Sequence, residues 1–189
     1  GVECTDFEPE PPPSKATAVT RCFGEPVREV AALREAMVRR AVRAAEKIRA
    51  QDLAATRLIA FAHGSRFKPN APSASRIARL SPATNDPRVI GGMAGRMADV
   101  MYETGGVYTK CGVMLEGLEP MTAHQADLFA VPDPRSPALL AAIDGLNGRF
   151  GRNTMRLASE GFGQKSYDTK RAFKSPSWTT LIDQVPIAR

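Results

Sequence analysis

Residues 16–23 (Ala-Thr-Ala-Val-Thr-Arg-Cys-Phe) alternate small or β-branched apolar positions with polar ones and stop at Gly24, the pattern of a half-buried strand. From Pro26 the period lengthens. Val30, Leu33, Met37, Ala41, Ala44 and Ile48 recur at steps of three and four, which predicts one face of a long helix with Pro at its start. Its opposite face, with Arg39, Arg43 and Lys47, reads as solvated. Strand patterns return at 56–63, ended by Gly64, and at 73–80, bounded by Pro72 and Pro82. Asp86 followed by Pro87 is a helix start, and Ile90, Met93, Met97, Val100 and Met101 form its apolar stripe up to Gly105-Gly106. A fourth strand is expected at 108–115.

The order β-α-β-β-α-β predicts an α+β fold: a four-stranded sheet with two helices on one face and the other face open. After Pro120 the texture changes. Residues 121–137 are loop-like, with Pro132, Pro134 and Pro137. Ser136 is then expected to cap a short helix built on Leu139, Leu140, Ile143 and Leu146, and 154–159 reads as a strand. This small helix-strand appendage runs into a tail whose Tyr167, Phe173, Trp178, Leu181 and Ile182 are expected to dock onto it. The division is therefore a linker (1–14), a main domain (15–118), a loop (119–135) and a small terminal unit (136–189).

Charge sharpens this picture. The chain is +6 overall, yet residues 15–118 hold 17 basic and 9 acidic residues, while the Pro-rich 1–14 segment holds four acids. A basic main domain points to a polyanionic partner. The polar residues available to the open face are Thr20, Arg21, Arg76, Arg79 and Lys110, with Arg66 and Lys68 on the adjoining loop. Strand alternation admits only one of Thr20 and Arg21, and one of Arg76 and Arg79, to that face.

Catalytic and metal chemistry finds little support. Cys4, Cys22 and Cys111 are far apart with no C-x-x-C pair, so reduced thiols in a cytoplasmic protein are expected rather than zinc. No two acidic residues adjoin, and none cluster outside the linker, so the carboxylates that hold two catalytic metals are not encoded. Gly161-Phe-Gly-Gln-Lys-Ser166 lacks the glycine a phosphate-binding loop needs before its Lys, and His63-Gly64-Ser65 has no acidic partner. No apolar run approaches membrane-spanning length. The sharpest short motif is Gln125-Ala-Asp-Leu128-Phe129, a Gln followed by adjacent apolar anchors in a Pro-bounded loop, which suits capture by a partner's pocket.

Thr20-Arg-Cys-Phe-Gly24, Arg34-Glu-Ala-Met37, Arg43-Ala-Ala-Glu-Lys47, the strand from Ser73 to Pro82 and Tyr108-Thr-Lys-Cys-Gly-Val-Met-Leu115 follow one another in the order seen in the little-finger domain of UmuC-type Y-family translesion DNA polymerases. The tail elements Lys170-Arg-Ala172 and Ser175-Pro-Ser-Trp-Thr-Thr180 continue the resemblance, and it covers nearly the whole chain. That family includes the catalytic subunit of bacterial DNA polymerase V and its ImpB, MucB and SamB relatives.

The resemblance implies a non-catalytic, carboxy-terminal part of an error-prone polymerase of the SOS response. Palm, fingers and thumb, with their Mg2+, are expected before Gly1, so no cofactor is expected in this chain. It further implies that the open sheet holds primer-template DNA by its backbone and that Gln125, Leu128 and Phe129 bind the β sliding clamp. More weakly, it implies that the terminal unit meets the polymerase accessory subunit and a recombinase filament. The alternative is a protein-interaction module whose main role is binding the clamp and those partners rather than DNA.

Overall fold

The computed structural model describes residues 14–121, 133–163, 165–168 and 185. The predicted order is present: β1 (Ala16–Val27), α1 (Val30–Arg49), β2 (Leu53–His63), β3 (Ser73–Thr84), α2 (Pro87–Met101), β4 (Tyr108–Pro120) and α3 (Ser136–Phe150). The first four strands form one antiparallel sheet in the order β1-β4-β2-β3, so β1 and β3 are its edges.

Both α1 and α2 pack on one face. Leu33, Met37 and Ile48 from α1 and Ile90 and Met101 from α2 meet Leu58, Val113 and Leu115 of the sheet, none more than 2% exposed. Each aliphatic side chain so buried stabilises the fold by about 1.5–3 kcal/mol. Tyr108 is also fully buried, and its hydroxyl is satisfied: it donates to the Met101 carbonyl at 3.1 Å and accepts from the Glu103 amide at 2.9 Å. Among the described residues no helix is long and apolar enough to cross a membrane.

The differences from the sequence expectation have local causes. Pro26 closes β1 instead of opening α1, which starts at Val30. Helix α2 stops at Met101, four residues before Gly105, and Val100 of the apolar stripe is 68% exposed. Strand β4 runs on to Pro120 because Gly117, at φ +60°, lets the backbone pass the Thr56 side chain. A Cβ there would lie 2.0 Å from the Thr56 Oγ1. Residues 154–159 do not form a strand; the segment turns and ends in a short 3-10 helix, Ala158–Glu160.

Ser136 does not cap α3 either. It is the first helical residue, and its hydroxyl donates to the Asp86 carboxylate at 2.9 Å. Asp86 does cap α2 as expected, accepting from the Arg88 amide at 2.8 Å. The same carboxylate thus ties the start of α3 to the start of α2. A second tie is the two-pronged pair of Arg49 with Asp144, both contacts at 2.8 Å.

Candidate nucleic-acid interface

The strand registers arrange the uncovered face as four rows across the sheet, read from β1 to β3. They are Ala16–Glu116–Arg57–Arg79, Ala18–Met114–Ile59–Ile77, Thr20–Gly112–Phe61–Ser75 and Cys22–Lys110–His63–Ser73. Alternate residues of the same strands (Leu58, Ala60, Ala62, Val113 and Leu115) point into the core, so these rows point away from it. The face has a cationic row at one end, a donor-rich row at the other and an apolar row between.

Phe61 lies across the third row and stacks on His63, ring centroids 5.3 Å apart. It fits because its neighbour is Gly112: a Cβ there would come within 2.5 Å of the Phe61 ring and 2.9 Å of Thr20. His63 Nδ1 is 2.9 Å from the Ser73 hydroxyl. Arg57 pairs with Glu116 at 3.3 Å, while Arg79 and Lys110 have no carboxylate at ion-pair distance among the described residues.

These rows sort the residues expected from the sequence. Thr20, Arg79 and Lys110 lie on the uncovered face. Arg21 and Arg76 do not: Arg21 pairs with the core residue Cys111 and Arg76 with the core residue Ala60, which puts both on the helix side of the sheet. Arg66 and Lys68 stand on the exposed β2–β3 loop around Phe67, whose ring carries the Arg66 guanidinium at 5.0 Å. Sequence reasoning missed Arg57. Its alternation with Ile59 and Phe61 was the available signal. Gln125, Leu128 and Phe129 lie outside the described residues.

The other unexpected feature is a clasp. Tyr167 was expected to dock on the terminal unit; it packs instead into the main core, 5% exposed and edge-on to Phe23 with centroids 5.9 Å apart. Its carbonyl accepts from the Gly24 amide at 2.9 Å. Arg39, read from the sequence as solvated, reaches the Glu160 carbonyl at 2.6 Å, Asp168 at 3.0 Å and the Gly163 carbonyl at 3.3 Å.

Beneath the clasp, Arg40 is buried over the Phe23 ring and donates to the Ala36 carbonyl at 2.7 Å, its Nε unpartnered. Burial lowers its guanidinium pKa from the ordinary value. The neighbouring Cys111 thiol is pushed up to about 11, chiefly by burial and against the pull of Arg40. Among the described residues no group of three or more His, Cys, Asp or Glu is placed to hold a metal.

Comparison with known proteins gives the family of the chain. Residues 14–128 match the impB/mucB/samB family C-terminal domain, and residues 137–188 match a domain of unknown function (DUF4113). The chain is 32% identical to the protein SamB of Salmonella typhimurium and 33% identical to the protein MucB of Escherichia coli; each alignment covers 100% of this chain and 45% of the relative. Identity to the protein UmuC of Salmonella typhimurium is 32%, over 95% of this chain and 43% of that protein.

The chain thus spans somewhat under half the length of these relatives. Among solved structures, an insertion ternary complex of Dbh DNA polymerase aligns at TM-score 0.43 and 10% identity, over 56% of this chain and 29% of that one. With a family match over more than half its length, the chain belongs to the impB/mucB/samB family, and residues 14–128 are its C-terminal domain.

Proposed function

We propose that this chain is the DNA-holding, non-catalytic part of a translesion DNA polymerase, and that the uncovered sheet face lies against primer-template duplex. The observation that carries the reading is the arrangement of that face: Arg57 and Arg79 at one end, Lys110 and His63 at the other. Six residues of strand separate Arg57 from His63, roughly 20 Å at 3.3–3.4 Å per residue. That span bridges a major groove roughly 12 Å wide and lets each end meet the phosphates of a different strand. Of the two rows between them, Ala18–Met114–Ile59–Ile77, with Ile77 69% exposed, offers no base-reading donors, and the next offers only the short Thr20 and Ser75 hydroxyls. Binding is therefore through the backbone and indifferent to sequence.

Five cations serve this face and its loop: Arg57, Arg79, Lys110, Arg66 and Lys68. A log-log salt slope of roughly −4 to −5 for blunt duplex follows from about 0.9 counterion per contact. Changing Arg57, Arg79 and Lys110 together to Ser should flatten the slope by roughly three. A slope that does not move would remove the sheet face from the reading.

The second reading, tethering to the β sliding clamp, is supported by the Gln125-Ala-Asp-Leu128-Phe129 sequence. Leu128→Ala with Phe129→Ala should abolish clamp binding and leave duplex binding intact. Clamp binding that survives would assign the two side chains to the protein's own packing. Polymerase activity and its Mg2+ belong, in this proposal, to the longer protein, and contacts with an accessory subunit or recombinase filament to the terminal unit.

A further inference from the structure

The positive excess is not confined to the uncovered face. On the opposite side of β1 a groove of about 770 Å3 runs between that edge strand, α1 and the turn that follows α3. Arg21, Arg39, Arg43, Lys47, Arg49, Arg152 and Arg156 line it, against three acids, Glu46, Asp144 and Glu160. Those acids are already engaged. Glu46 pairs with Arg43, Asp144 with Arg49, and the buried Glu160 carboxylate accepts from the Leu157 amide. Arg39 is held by the clasp. Arg21, Lys47, Arg152 and Arg156 have no carboxylate at ion-pair distance among the described residues, and with the Glu160 charge, which Arg156 and Arg39 offset, set against them the groove keeps a surplus of three.

Like charges gathered without counter-charges raise the free energy of the fold, and an anion relieves them. The adjoining stretch around Lys47 and Arg152 is lined by Ala16, Thr17, Ala18, Ala50 and Gln51, small or polar side chains, while the groove itself adds Val19, Val42, Ile143, Met155 and Leu157 beside its cations. The positive surplus along the groove suits a flexible polyanion whose charge lies along its backbone.

We infer that this groove is a second nucleic-acid site, which takes the phosphates of single-stranded DNA on the helix side of β1. It meets the uncovered face along the β1 edge, where Ala18, Thr20 and Cys22 also line it, but its surplus cations are other residues than Arg57, Arg79 and Lys110.

The test uses the full chain with two fluorescent probes, a blunt duplex and a single-stranded oligo-dT of about 12 nucleotides, across a salt series. Oligo-dT should bind the wild type with a log-log slope of roughly −3, from four contacts at about 0.7 counterion each. Lys47→Ser with Arg152→Ser and Arg156→Ser should cut that slope to roughly −1 and lower affinity at low salt at least tenfold, with duplex binding unchanged. The triple change on Arg57, Arg79 and Lys110 should do the reverse, so failure of the duplex reading is told apart from failure of this one.

All three altered positions are exposed, and a melting curve checks each variant. If the triple change melts early, Lys47→Gln with Arg152→Gln serves in its place, with the same outcomes at about half the size. An oligo-dT slope unaffected by the groove changes overturns the inference. So does an equal loss for both probes, which would report net charge alone. Capture of an acidic peptide with no oligo-dT binding would make the groove a protein-docking site and overturn it as well.

Discussion

Tyr167 gives the most discriminating test of how the terminal unit is held. Its ring completes the core beside Phe23, while its hydroxyl is buried with no hydrogen bond of good geometry, next to the half-buried Glu35 carboxylate. Truncation and removal of the hydroxyl alone should therefore have opposite consequences. Tyr167→Ala deletes a buried aromatic ring, at a cost of about 3 kcal/mol, the lower end of the range for such changes because the site lies at the rim of the core. Tyr167→Phe keeps the ring and removes an unsatisfied polar atom, which should be neutral or stabilising by up to about 1 kcal/mol.

Hydrogen exchange at the Gly24 amide reads the clasp directly, since that amide donates to the Tyr167 carbonyl. In Tyr167→Ala its protection should fall about a hundredfold. The central-strand amides of Leu58 and Val113 should lose less, because the clasp opens before the sheet does. In Tyr167→Phe its protection should hold or rise.

Burial, opposed by Arg39, pushes the Tyr167 phenol up. In the unfolded chain it ionises near 10. Stability from this group is thus fully present below about 10 and lost as pH rises above it, a decline that Tyr167→Phe should reduce. If Phe costs more than about 1 kcal/mol, the hydroxyl is bonded to Glu35 and the reasoning fails; unchanged Gly24 protection in the Ala variant would refute the clasp itself.

Arg40→Met exchanges a buried, incompletely bonded guanidinium for an apolar chain of similar reach. Urea titration should show between no change and a gain of about 1 kcal/mol, and a loss above about 2 kcal/mol would mean the charge is needed. Cys22 is exposed on the uncovered face and should react with a maleimide at pH 8 within minutes. Cys111, buried and held near 11, should react only on unfolding, as mass mapping of the labelled peptides would show.

Asp86→Ala removes the α2 cap and the Ser136 contact together, an expected loss of about 1–2 kcal/mol by thermal melting. Burial alone would raise the Asp86 carboxyl, but its bonds from Arg88 and Ser136 outweigh this and hold it below the ordinary carboxylate value. Its contribution is therefore present above about pH 4 and lost as pH falls, a loss that Asp86→Asn should no longer show.

The alternation and helical periods carried the element order because each element buries one face, and one-sided burial leaves a period in the sequence. They did not carry the ends. Pro26 suits both a strand end and a helix start, and only the edge position of β1 decides between them. Strand β3 extends through Pro82 for the same reason: an edge strand tolerates a residue that donates no ladder bond.

The site was half legible. Alternation limited Thr20 or Arg21, and Arg79 or Arg76, to one each, and only register with Cys111 and Ala60 decided which. The clasp left no trace, because Arg39 and Tyr167 are 128 positions apart and an exposed-looking helical Arg has the same local pattern whether solvent or a returning segment covers it.

The clasp also orders events at the ribosome. Gly24, Phe23 and Arg40 emerge long before Tyr167, and at bacterial elongation speeds the interval is on the order of ten seconds. The central strand β4 emerges part-way through, so the completed sheet lacks its last aromatic plug for roughly the last third of that time, and the Arg40 guanidinium still has access to water. A charge that is awkward in the finished core is well suited to that interval, since it keeps the unfinished rim wet and unattractive to other nascent chains until Tyr167 arrives to cover it.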